Sequence, residues 1–233
     1  MTLKEIVSGG KRIVFFGGAG VSTESGIPDF RSEDGLYRTR YGVSPETVLS
    51  AGYFQAHTAE FYRFYRDKML PLAAQPNPVH RKLAEWEREG KLLAVVTQNI
   101  DGLHQKAGSR RVYELHGSIH RNTCLRCGKK FSAQAIVRAE GVPHCDCGGL
   151  IKPDVVLYGE PLDEKTVEGA LAALAQADVL IVAGTSLTVY PAAGFVRYFR
   201  GEHLVLINRD KTAYDGECEL VIHKNLGEVF SEL

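Results

Sequence analysis

The chain has no surplus of either charge: Lys and Arg together number 28, and so do Asp and Glu. Without a basic field it has no general grip on a polyanion, so direct nucleic-acid binding is not expected, and neither is docking on an anionic membrane. No apolar run approaches the roughly 20 residues of a bilayer span, and the mean hydropathy is -0.14. The opening residues, MTLKEIVSGGKRIVFFGGAG, lack a charged-then-apolar leader with a small-residue cleavage site, which points to a cytoplasmic protein. Cysteine is scarce: five in 233 residues cannot form a disulfide scaffold. Internal repeats, low-complexity tracts and runs of like charge are missing as well. What remains is an ordinary globular composition, 44% hydrophobic, with 24 glycines that mark sharp turns or close backbone approaches.

The order of elements predicts an α/β fold. Ile13–Phe16 is a short apolar run that stops at Gly17-Gly18-Ala19-Gly20, as a buried parallel strand does where it feeds a ligand-binding turn. Asn77 caps a predicted helix with Pro78 at its first position, Val79, Leu83 and Trp86 on one face and Gly90 as its stop. Leu92–Thr97 reads as a second buried strand. Val167, Ala170, Leu171 and Leu174 mark a further amphipathic helix, followed by strands at Val179–Ala183 and His203–Ile207. Strands alternating with helices predict a doubly wound, Rossmann-like parallel sheet. Two stretches interrupt the alternation: an aromatic-rich, helical one and one that holds four cysteines. The expected organisation is therefore a large domain from residues 1–33, 75–117 and 154–233, and a small one from a helical insertion, 34–74, and a zinc-binding module, 118–153. A ligand cleft between them follows, since open α/β sheets bind ligands at the carboxyl ends of their strands.

Cys124, Cys127, Cys145 and Cys147 run Cys-x2-Cys, 17 residues, Cys-x-Cys. Two close pairs so spaced are the pattern of tetrahedral zinc, and the segment between them offers few apolar residues with which to build a core instead. Four protein ligands leave no open coordination position, so the metal is expected to be structural. The second pair is tighter than the usual knuckle, which leaves His144 as an alternative fourth ligand. Gly18, Ala19, Gly20 and Thr23 belong to a glycine-rich turn that departs from G-x-G-x-x-G but is suited to a pyrophosphate. Asp29, Phe30 and Arg31 then bring together an acceptor, an aromatic wall and a guanidinium fork. Gln98, Asn99, Ile100 and Asp101 follow the second strand, Gly184, Thr185 and Ser186 the third, and Asn208 the last. His116 is expected to end a strand that faces this edge, with an unperturbed pKa near 6.5 that suits a general base. For His57, His80, His104 and His120 a satisfied structural role is expected. Residues 153–160, apolar and β-prone, form a stretch that a peptide can join by strand addition.

Taken in order, Gly18-Ala19-Gly20-Val21-Ser22, Gly26-Ile27-Pro28-Asp29-Phe30-Arg31, Thr97-Gln98-Asn99-Ile100-Asp101, Leu115-His116-Gly117, the four cysteines, Tyr158-Gly159-Glu160 and Gly184-Thr185-Ser186 resemble the sirtuins, NAD-dependent protein-lysine deacylases, across nearly the whole chain. The resemblance implies a Rossmann-like large domain with a smaller zinc-and-helix domain. It also implies NAD as co-substrate, one structural Zn2+ per chain, and acylated-lysine proteins or peptides as partners. By resemblance His116 is the general base, Asn99 sits by the nicotinamide ribose, and Phe30, Ile100 and Asp101 form the nicotinamide pocket. Val155, Val156, Tyr158, Gly159, Glu160 and Val189 are the implied peptide contacts. The implied products are free lysine, nicotinamide and 2′-O-acyl-ADP-ribose.

Sirtuins that take succinyl or malonyl groups carry a Tyr-x-x-Arg pair. Here Tyr62 is present but Tyr65 stands in the arginine's place, so an uncharged acyl group is expected, with Arg66 next door keeping desuccinylation open. Protein mono-ADP-ribosyl transfer and non-catalytic sensing of NAD or ADP-ribose are the other open readings. The chain departs from the family pattern in Gly17, where threonine is common, in the short Cys145-Asp146-Cys147 pair, and in a weak match at Asn225-Leu226-Gly227.

Overall fold

Strand register explains why one edge of this protein collects so many polar loops. The computed structural model describes residues 1–9, 12–29 and 42–233. Six strands, β1 (Ile13–Gly17), β2 (Leu92–Thr97), β3 (Val112–Glu114), β7 (Val179–Ala183), β8 (His203–Ile207) and β9 (Leu220–Ile222), form a sheet in the order β3-β2-β1-β7-β8-β9. Every pairing in it is parallel. Gly17 lies opposite Thr97 on one side and Ala183 on the other, and Ala183 lies opposite Ile207, so four strands end level. The chain runs outward from β1 in one direction and from β7 in the other. The order of strands thus reverses between β1 and β7, where doubly wound sheets open a crevice for ligands.

Alternation along each strand builds a core on both faces. Ile13 and Phe15 point to one, packed with residues of α1 (Leu3–Gly9), α5 (Pro78–Arg88) and α9 (Leu226–Ser231), among them Leu83, Trp86 and Phe230. Val14 and Phe16 point to the other, under α8 (Glu164–Gln176) and a 3-10 segment, Ala192–Tyr198. The fully buried strands β1 and β7 need no polar face, hence their unbroken apolar runs. α5 begins where its sequence predicts: the Asn77 side chain accepts from the Val79 and His80 amides in a capping box, and Pro78 occupies the first turn.

A second sheet is antiparallel, with β4 (Gly117–Cys124) between β5 (Lys130–Phe131) and β6 (Ile151–Val155). It shares a third core with α2 (Pro45–Val48), α3 (Ala51–Ala56) and α4 (Thr58–Lys68), and α7 (Ala133–Arg138) contributes Ile136. Phe61, Tyr62, Phe64 and Tyr65 of α4 are all fully buried there, the two phenylalanines each worth about 1.5–3 kcal/mol of transfer free energy. α6 (Leu103–Ala107) packs against α5. Among the described residues, no helix is long and apolar enough to cross a membrane.

Candidate active site

The crevice between β1 and β7 is closed at its floor by backbone packed on backbone. The Gly20 amide donates to the Gly184 carbonyl at 2.8 Å, and the Gly18 amide to that of Ala183 at 3.1 Å. A Cβ at Gly20 would lie 2.8 Å from Gly184 Cα, and one at Gly184, whose φ is +59°, would lie 2.6 Å from the Val21 nitrogen. These glycines are therefore required first by the seam between the two strand exits. Two of the amides expected to cradle a pyrophosphate are spent within the protein.

Above the seam runs a cleft of about 460 Å3. The loop after β2 supplies its polar wall. Asn99 Nδ2 donates to Ser22 Oγ at 3.0 Å, and Ser22 Oγ donates to Asp101 Oδ2 at 2.7 Å. The other Asp101 oxygen accepts from the Leu103 amide at 2.9 Å. Burial raises the Asp101 pKa, while the Leu103 amide and Ser22 hydroxyl act against that. Gln98 Nε2 donates to Thr185 Oγ1 at 3.0 Å, which ties the loop after β2 to the loop after β7.

His116 lies in the turn between β3 and β4, two residues beyond the end of β3 rather than at its end. Its Nδ1 is 2.9 Å from the Gln98 carbonyl oxygen. A carbonyl only accepts, so Nδ1 carries the hydrogen and Nε2 keeps its lone pair. Burial pushes the His116 pKa below its ordinary value, against the opposing effect of the Gln98 carbonyl. At neutral pH the ring is an unprotonated base. Gly117, at φ +77°, makes the next turn possible, since a Cβ there would overlap the Asp154 carbonyl oxygen.

The far end of the cleft is apolar, lined by Leu49, Tyr65, Met69, Ile119, Val155 and Leu157. Beside it, the backbone from Val156 to Glu160 is largely committed. The Val156 amide donates to the His116 carbonyl, Tyr158 exchanges bonds with Leu49 and Ala51, and the Leu157 amide donates to Glu160 Oε2. Strand β6 ends at Val155. Within this stretch Gly159, exposed at φ +90°, keeps an amide with no acceptor among the described residues. Lys152 braces this wall, its Nζ donating to Val155 O at 3.1 Å and Glu160 Oε2 at 3.0 Å.

The sulfur atoms of Cys124, Cys127, Cys145 and Cys147 lie within 4.8 Å of one another. Cys124 and Cys147 are 3.5 Å apart and Cys127 and Cys145 3.7 Å. Zn–S bonds of about 2.3 Å at tetrahedral angles require sulfurs about 3.8 Å apart. The four thiols fit zinc despite the short second pair. His144 stays out of the set: it is exposed, and its Nδ1 lies 2.8 Å from the Val142 carbonyl oxygen.

Residues 18–191 match the Sir2 family. The chain belongs to that family. A relative named NAD-dependent protein deacetylase from Clostridium acetobutylicum is 58% identical, covering 97% of this chain and 94% of its own. The Sir2 chain is also similar to a solved Sir2 structure described with a deacetylated p53 peptide and 3′-O-acetyl-ADP-ribose, with a TM-score of 0.90, 38% identity, and 99% and 96% of the two chains covered. A Sir2 structure described with a p53 peptide and NAD+ has a TM-score of 0.87 at 38% identity, covering 100% and 97%.

In this Sir2 chain, Gly18, Ala19, Gly20, Thr23, Asp29, Gln98, Asn99, Ile100, Asp101, His116, Gly184, Thr185, Ser186 and Asn208 all line the one cleft. So do Val155, Val156, Tyr158, Gly159, Glu160 and Val189. Phe30 and Arg31 lie outside the described residues. His120 is satisfied, its Nε2 2.9 Å from the Asp101 carbonyl oxygen. His80 and His104 are not: His80 Nε2 and both His104 nitrogens are buried without a partner among the described residues. Their rings pack against each other, with centroids 4.7 Å apart, instead of finding acceptors. Sequence reasoning passed over Ser22, the buried hydroxyl that joins Asn99 to Asp101. Its signal was present, a serine directly after the glycine-rich turn. Asn225 and Leu226 line the same cleft as Asn208. Cys218 is half-buried, its thiol 3.2 Å from the Tyr214 carbonyl oxygen and its pKa pushed up to about 11 by burial.

Proposed function

We propose that this protein is an NAD-dependent protein-lysine deacetylase with a preference for uncharged acyl groups. The observation that carries the reading is the His116 ring: its Nδ1 hydrogen is held by Gln98 and its basic Nε2 belongs to the cleft that Asn99 and Asp101 also line. On this reading NAD is a co-substrate whose ribose accepts the acyl group once nicotinamide has left. The glycine seam, Thr185, Ser186 and Asn208 hold its adenosine diphosphate portion. Asn99, fixed through Ser22, stands at the ribose, and Asp101 holds its position through Ser22 and Leu103. Nicotinamide leaves the anomeric carbon as the amide oxygen of the acyl-lysine bonds there; His116 takes the proton from the neighbouring ribose hydroxyl so that its oxygen attacks the acyl carbon, and one water then releases lysine as the free amine with the acyl group left on the ribose. The apolar end of the cleft receives the acyl-lysine and excludes water, and Gly159 and Val189 engage the peptide backbone on either side.

The residue divisions 1–33, 75–117 and 154–233 against 34–74 and 118–153 are proposed as the nucleotide-binding and the zinc-and-helix domains. Four thiolates would hold zinc as a structural cross-link between the two ends of the module. A charged acyl group is disfavoured because the Arg66 guanidinium is spent on the carbonyls of Ile136 and Gly141.

Incubation with NAD and an acetyl-lysine peptide tests the reading, with nicotinamide and peptide mass followed together. One nicotinamide released per acetyl group lost is expected. An acceptor that gains ADP-ribose would replace the reading with protein ADP-ribosyl transfer, and NAD binding without turnover would leave a sensor.

A further inference from the structure

Strand β4 interrupts its pairing with β6 where it passes the loop after β2. Gly117 lies opposite Val155, and the register resumes only at Asn122, opposite Pro153. Over that gap the chain gives its hydrogen bonds to the loop that carries Asn99 and Asp101. The Ile119 amide donates to the Ile100 carbonyl at 3.0 Å, and His120 Nε2 lies 2.9 Å from the Asp101 carbonyl oxygen. A carbonyl only accepts, so the His120 ring carries its hydrogen on Nε2. With His116 on the Gln98 carbonyl, three of the four residues 98–101 are held through their carbonyls from one short stretch of chain. His120 is itself held, its amide donating to Oγ of the buried Ser118 at 3.3 Å. Its ring takes the space that a side chain at Gly102 would need: a Cβ there would lie 2.7 Å from His120 Cδ2 and 2.9 Å from Nε2. Gly102, at φ +71°, makes the turn after which the Leu103 amide donates to Asp101 Oδ1. His120 does not line the cleft, whereas Asp101 does.

Building on the deacylase reading, we propose that His120 is a positioning residue of the reaction: from outside the cleft it fixes the Asp101–Gly102 turn, and through that turn the Asp101 side chain that the sirtuin resemblance assigns to the nicotinamide pocket. Without the Nε2 donor the Asp101 carbonyl loses its partner and the turn loses one of its two restraints from β4. The hold on nicotinamide then weakens while the peptide contacts at Gly159 and Val189 are untouched. His120 is exposed, so its replacement opens no cavity in a core.

The test measures product inhibition by nicotinamide and the KM of an acetyl-lysine peptide for the wild type, His120→Ala and His120→Gln. His120→Ala should raise the nicotinamide inhibition constant by roughly threefold to tenfold, the range of one neutral hydrogen bond, with the peptide KM within about twofold of the wild type. Glutamine places an amide donor about as far along the side chain as Nε2, so His120→Gln should restore the wild-type constant. An unchanged nicotinamide constant in His120→Ala, an equal rise in the peptide KM, or a folded His120→Gln that matches the alanine variant would overturn the proposal. If the wild type turns over no acyl peptide, the deacylase reading is what fails. Hydrogen exchange of the Leu103 amide then decides the part of His120: faster exchange in His120→Ala alone supports its hold on the turn, and equal exchange in all three proteins overturns it.

Discussion

The two sheets of this protein are held together by different means. The six-stranded sheet is covered on both faces, and its central strands are apolar on every residue. The three-stranded sheet has one shared core, carries Ser118, His120, Arg121 and Asn122 in its longest strand, and adds four clustered thiols. The larger sheet is buried on two faces and the smaller on one, so the smaller has more to gain from a metal cross-link. The cleft lies where the two meet. One part of the cleft is lined by the loops at the level strand exits, and its apolar part by residues of the third core, among them Tyr65 of α4 and Val155 of β6.

Removing the cross-link should break the comparison most visibly. A structural zinc site contributes on the order of 10 kcal/mol, so a strong chelator or Cys124→Ser should unfold β4, β5 and β6 while the parallel sheet persists. Hydrogen exchange resolved by segment would show fast exchange confined to the smaller sheet; uniform protection after metal removal would contradict it. The seam of the larger sheet offers the matching break. Gly184→Ala adds a Cβ in the left-handed region against the Val21 nitrogen, with an expected loss of about 2–4 kcal/mol in urea unfolding.

Acid should weaken the larger sheet's side by a separate route. His80 is held at about 4 by burial, with Arg81 acting the same way, and His104 is pushed well down by burial and by His80. In the unfolded chain both bind protons below pH 6.5, while the folded chain resists, so stability falls as pH drops from about 6.5 towards 4. Thermal midpoints of the wild type and His80→Gln across that range should converge as the pH is lowered. Parallel curves would show that His80 does not carry the effect. The smallest effect is expected at the brace of the acyl wall. Lys152→Met removes donors to Val155 and Glu160 and should raise the peptide KM severalfold while leaving the NAD KM within about twofold. An equal change in both would mean a general loss of structure.

Much of the larger sheet was legible because buried parallel strands announce themselves as short apolar runs stopped by glycine or a polar cluster. Leu92–Thr97, Val179–Ala183 and His203–Ile207 have the bounds that the sequence predicts. β3 and β9, three half-buried residues each, carry no such signal. β4 was hidden by its polar residues and β6 by Pro153, a residue that argues against a strand. In the site, loop position was enough to nominate Asn99, Asp101 and His116. The bridging part of Ser22 was not legible, because it depends on a contact across 77 and 79 positions of sequence. The hold of His120 on the loop after β2 was equally hidden, since sequence shows an imidazole but not which carbonyl it meets. The glycine seam was legible as glycine, but its packing of one strand exit on the other was not, because it depends on a contact between Gly20 and Gly184.

The central claim is that His116 acts as the base of a deacetylase. It is tested most directly by the pH dependence of kcat/KM for an acetyl-lysine peptide in the wild type and in His116→Ala. Because burial lowers the pKa of this ring, the wild-type acid limb should fall below pH 6.5, and the variant should lose at least about 100-fold in rate while staying folded by circular dichroism. A folded His116→Ala protein that retains most of its activity with the same acid limb would contradict the account.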